Sequence, residues 1–131
     1  MIYNARMNNL HPIIRWIIFF PASILLGGIT YYIISLAHAI YPAGGLAQYL
    51  NQLLAAGMSG AMAIHTAHFI APNFKKRVII GYVIAAFLLL VVTLLIVPIS
   101  EYGIMENLRY ASQNIGIFGW GWYLYKEETK E

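Results

Sequence analysis

Between Ala85 and Ile96 the chain reads Ala-Ala-Phe-Leu-Leu-Leu-Val-Val-Thr-Leu-Leu-Ile, interrupted by one weakly polar residue, Thr93. Extended to Val78 and Val97, this run has the roughly 20 apolar residues that a helix needs to cross a hydrocarbon core about 30 Å thick. Two further segments have comparable character, about Ile14–Leu36 and Leu46–Ile70. Pro12 suits the first turn of the first helix, and Pro21 is expected to kink it. The second lies between Pro42-Ala-Gly-Gly45 and Pro72. Composition agrees: 60% of the 131 residues are hydrophobic and 10% charged, against about a quarter charged in an ordinary globular domain. The Ala37-His38-Ala39 stretch resembles a small-x-small cleavage site, but the apolar run before it is longer than a signal peptide core. It is read as a retained span.

A fourth segment, about Ile104–Tyr125, is harder to read. Its first half carries Glu106, Asn107, Arg109, Ser112, Gln113 and Asn114, and its second half is apolar and aromatic. Charge placement decides for crossing. With four spans, Arg6, Arg15, Lys75, Lys76, Arg77, Lys126 and Lys130 fall on one side and Arg109 alone on the other. Such a bias puts the termini and the Asn73–Arg77 loop in the cytoplasm. Trp16, Trp120 and Trp122 then gather at the inner interface, and Tyr31, Tyr32, Tyr41, Tyr49 and Tyr102 lie towards the outer one. The expected fold is an all-α integral membrane protein: one domain over residues 1–131, a four-transmembrane-helix bundle with short loops.

Helices associate in lipid through small residues and interhelical hydrogen bonds. At 100° per residue, Gln48, Gln52, Ala55, Ser59, Ala63 and Thr66 form one stripe of the second segment, with Asn51 at its edge. Gly57, Ala61, His65 and His68 form another on the opposite side. Gly57, Ser59, Gly60 and Ala61 are the expected packing points, and a helix with two such faces needs two partners. The third segment has no comparable stripe and is expected to face lipid. Gln48, Asn51 and Gln52 lie at the same depth as Glu106, Arg109 and Gln113, which suggests a polar cluster in the outer half, either helix glue or the lining of a ligand site or pore.

Of the histidines, His38 lies near the outer face and His11, His65 and His68 near the inner one. His65 and His68 are a turn apart on one helix and cannot take opposite axial positions on one haem. His11 with either of them is the surviving pair, and a metal site from the three lacks a fourth ligand. The plainer expectation is that His65 and His68 serve the helix C-terminus. Lys75, Lys76 and Arg77 read as a topology anchor that can touch lipid headgroups. A triplet joining two spans gives no basis for nucleic-acid binding. With no cysteine and no phosphate-cradling or catalytic motif, catalysis is not expected.

The leading expectation is therefore a small non-catalytic subunit of a membrane, by its size and short loops a bacterial inner membrane. It would self-associate or serve as an accessory or anchor subunit of a larger complex, with no cofactor. The alternatives are a homo-oligomeric pore or permeabilising effector, and a quinone- or haem-binding anchor of a respiratory-type enzyme. The topology is testable in this cysteine-free background. Single cysteines at Asn8, Asn73 and Thr129 should react only from the cytoplasmic side, and one at Gly44 only from outside. Outside labelling at Thr129 would remove the fourth crossing.

Overall fold

The computed structural model describes residues 11–40, 44–96 and 99–130. Among these it is all-helical: α1 (Pro12–Ile40), α2 (Leu46–Ile70), α3 (Lys75–Ile96) and α4 (Ile99–Lys130). Arg6 and Tyr41 lie outside the described residues, as do the side chains of His38 and Tyr102. Three of the helices, α1, α2 and α3, are long and apolar enough to cross a membrane. The fourth is not, because the amides and charges of its first half dilute its apolar content.

Local chemistry accounts for the helix bounds. α1 starts at Pro12 and runs unbroken through Pro21. Gly45, with φ 67°, precedes α2, and Pro72 prevents its continuation by favouring an extended residue before it. α3 begins at Lys75, three residues earlier than the hydropathy boundary. The three basic residues therefore occupy its first turn, where the helix dipole disfavours cations. Helix stability therefore does not account for the charge there. α4 is divided at Gly103, whose φ of 66° and ψ of 163° are not helical. Its long portion thus starts where the fourth apolar pattern does, and it continues past Tyr125 through a polar last turn.

α2 is the hub. It packs on α1 along one side and on α4 along the other, and half of its span is buried. α1 runs antiparallel to it, with Asn51 opposite Ile34, Ser59 and Ala63 opposite Gly27, and Ile70 opposite Arg15. α4 runs parallel to it, in a register that pairs Leu53 with Ser112, Gly57 with Gly116, His65 with Trp120, and His68 with Glu128. α3 lies mainly on α4 and only lightly on α2, although the short loop 71–74 joins α2 to α3. Pro72 and Phe74, the latter at a left-handed φ of 54°, redirect the chain there. Within α3, Ile79 is the residue that the described structure buries. It joins Ile64, Ile117 and Leu124 in a small apolar core.

The α2–α4 crossing is a backbone contact. A Cβ on Gly116 would collide with the carbonyl of Gly57, and one on Gly60 with the carbonyl of Gln113. Ser112 adds a hydrogen bond to the Leu53 carbonyl at 2.6 Å. On the other side of α2, a Cβ on Gly27 would sit 3.1 Å from both the Ala63 Cβ and the Ser59 carbonyl. Glycine is favoured at the α4 crossing because even a Cβ fits only if the two backbones move apart. Gly116→Leu should therefore separate α2 from α4 and abolish a cooperative melt in detergent. Gly116→Ala should cost about 1–3 kcal/mol, the usual range for overpacking. Leu89→Phe, on an exposed position of α3, should melt like the parent.

Candidate functional site

Polar side chains inside a bilayer need partners, because unpaired groups are costly there. Several satisfy themselves on their own helix: Thr30 donates to Leu26 O, Thr93 to Leu89 O, Asn107 to Gly103 O and Asn114 to Tyr110 O. These reach four residues back, although the Asn114 Oδ1 is buried without a partner among the described residues. Others gather in two places.

The first is a cavity of about 390 Å³ between α1, α2 and α4, with Tyr82 of α3 at one wall. Glu106, Arg109 and Gln113 line it from α4, Tyr31 and Gly27 from α1, and Ser59 from α2. Glu106 and Arg109, one turn apart, form an ion pair. Arg109 also donates from Nη1 to the Tyr31 hydroxyl at 3.3 Å, while its Nε is buried without a partner among the described residues. Below them, the fully buried Ser23 donates to Phe20 O at 2.8 Å and stands 3.5 Å from the Tyr82 hydroxyl. Gln48, Asn51 and Gln52 are only half-buried and do not line this cavity. Asn51 instead donates to the Ile34 carbonyl at 3.3 Å, tying α2 to α1. The α4 half of the expected polar cluster thus meets α1 across the cavity, and the α2 half lies apart from it.

The second place is the opposite end of the bundle. Arg15, 8% exposed, donates from Nε to Ile70 O at 2.9 Å and from Nη2 to Ala71 O at 3.1 Å. The last carbonyls of a helix lack intrahelical donors, and its negative dipole end favours a cation. A side chain of α1 therefore caps α2. Charge counting alone treats Arg15 as one topology residue among seven. The available sequence signal was its depth, one turn into α1 and level with the Pro72 stop.

The histidines do not converge. His11 is exposed and accepts from Ile13 N at 3.3 Å. His65 accepts on Nδ1 from Trp120 Nε1 at 3.1 Å, their rings edge to face. His68 Nε2 meets Glu128 Oε1 at 2.6 Å. Both α2 histidines are joined to α4, and no group of three or more His, Asp or Glu gathers among the described residues. Lys75, Lys76 and Arg77 line a shallow depression with Phe74 and Glu128, and the Arg77 guanidinium lies over the Phe74 ring at 5.2 Å. Of the expected packing points, Gly57 and Gly60 lie against α4 and Ser59 against α1, while Ala61 is half-buried on the outer seam of α2 and α4.

Comparison of the chain with protein-family models, curated proteins and solved structures finds no match.

Replacing Arg15 by Gln should lower stability in detergent by about 1.5–3 kcal/mol, the usual worth of hydrogen bonds from a charged donor. A thermal melt monitored by helicity checks this. Arg15→Lys, which keeps the charge but loses the fork, should recover only part of the loss.

Proposed function

We propose that the chain crosses the membrane four times with both termini cytoplasmic, and that it is a small non-catalytic subunit. It would self-associate or anchor a larger membrane complex, with a bacterial inner membrane as the setting. The observation that carries this reading is where the polar side chains go. Arg15, Asn51, Ser112, His65 with Trp120, His68 with Glu128, and Arg109 with Tyr31 all join one helix to another. Side chains engaged in this way tie helices together, as a scaffold requires.

The fourth crossing draws support from register. α4 lies parallel to α2 from the level of Leu53 to that of His68, so a membrane crossed by α2 is crossed by α4 as well. The polar residues of its first half are half-buried against the bundle and partly paired there, which lowers the cost an isolated helix would meet in a bilayer. Glu128 beside Lys75, Lys76 and Arg77 puts the α4 C-terminus at the end that carries the basic loop.

For self-association the suitable surface is the outer seam of α2 and α4. Gly57, Met58 and Ala61 meet Ile115 and Gly119 there, and a Cβ on Gly119 would meet nothing within 4 Å. Small residues at an open seam let a second helix come close. Homo-oligomeric pore formation is the second reading, favoured by the cavity that Glu106, Arg109 and Gln113 line. Native mass measurement after gentle detergent extraction tests both. An oligomer that Gly119→Leu dissociates without lowering the melting temperature supports self-association. A monomer that co-purifies with other polypeptides supports the anchor. An oligomer that makes vesicles leak, and stops doing so with Gln113→Leu, replaces both with the pore.

A further inference from the structure

On the opposite side of the bundle from that seam, α1 and α3 frame a groove of about 490 Å³ that no part of the described chain fills. Trp16, Phe19 and Phe20 form one wall, and Val78, Gly81 and Ala85 the other, with Tyr82 at the base. A Cβ on Gly81 would meet nothing within 4 Å, so the groove is open along its α3 side. From Arg77 to Ala85 it extends about 12 Å at the helical rise of 1.5 Å per residue. The hydrocarbon half-thickness of a bilayer is about 15 Å.

Charge is confined to one end. Arg77 closes the groove beside Phe74, its guanidinium 5.2 Å from the centre of that ring and its side chain exposed. Lys75 and Lys76 stand next to it. Glu128 is the one described carboxylate in the adjoining depression, and His68 holds it at 2.6 Å. The mouth is therefore cationic and the interior apolar and aromatic, a pattern that matches a molecule with an anionic head and a hydrocarbon tail. A second copy of the chain fits less well. Its described acids at this end, Glu127 and Glu128, are already paired with Lys130 and His68.

We propose that this groove binds an anionic phospholipid, one acyl chain lying along Trp16, Phe19, Phe20 and Gly81 and the phosphate held by Arg77. The site rests on the membrane reading above. With that topology it opens to the cytoplasmic leaflet, whose surface is the more negative and attracts basic juxtamembrane residues.

Trp16 is a built-in reporter, one of three tryptophans in the chain. The full chain carrying Trp120→Phe and Trp122→Phe is reconstituted in phosphatidylcholine vesicles. Lipids brominated on the acyl chain, either phosphatidylglycerol or phosphatidylcholine, are then added to quench Trp16. The expected result is a several-fold preference for phosphatidylglycerol, abolished by Arg77→Gln. Gly81→Leu, which fills the groove, should weaken quenching by both lipids. Native mass spectra of the unsubstituted chain should retain phosphatidylglycerol over phosphatidylcholine, again unless Arg77 is replaced. Equal quenching by the two lipids, or a preference that survives Arg77→Gln, overturns the site while leaving the membrane reading intact. So does a Trp16 screened from both lipids when Trp122, kept instead of Trp16, is quenched, because a protein then covers the groove. If neither tryptophan is quenched, the membrane reading itself has failed.

Discussion

The bundle depends on one contact, the passage of α4 over α2 at Gly57, Gly60, Gln113 and Gly116, where backbone meets backbone. In lipid no hydrophobic force draws helices together, so association rests on van der Waals contact and hydrogen bonds. Both improve as the axes approach. The missing side chains at this crossing allow Ser112 to reach the Leu53 carbonyl. They also fix the register that brings Trp120 to His65 and Glu128 to His68. α3, which lies chiefly on α4, inherits its position from the same crossing through Gly121, whose Cβ would meet Ile64 and Val83.

The ends of α2 show how the remaining helices are held. At its C-terminus the carbonyls of Ile70 and Ala71 are taken by Arg15 of α1, and near its N-terminus Asn51 reaches the Ile34 carbonyl. Two hydrogen-bonded ends and a tight middle at Gly27 align α1 with α2 over most of their length. α3 is tied less firmly: among the described residues its polar link to another helix is the 3.5 Å contact of Tyr82 with Ser23 of α1, and most of its surface stays exposed. The fold is thus graded, from a tightly packed α1–α2–α4 core to a loosely attached α3.

α4 illustrates how context changes a segment's meaning. Alone it is too polar in its first half to cross a membrane. In the bundle, Glu106 and Arg109 neutralise one another, Arg109 is further bonded to Tyr31, and Asn107 and Asn114 turn back on their own helix. What hydropathy counts as a cost is in part absorbed by pairing.

Helix positions, the small-residue faces of α2 and the sparse packing of α3 were legible in the sequence, because each is a one-dimensional property. Apolar length sets a span, the 100° periodicity assigns residues to a face, and prolines and glycines mark the stops. Partners were not legible. That Arg15 caps α2, that His65 and His68 bond to α4, and that Gln48 and Gln52 lie apart from Glu106 and Arg109 depend on crossing angle, rotation and offset between helices. Those quantities come from how closely backbones approach at a few glycines, a property of pairs of helices that neither helix's sequence states by itself. Only the tertiary structure could decide them.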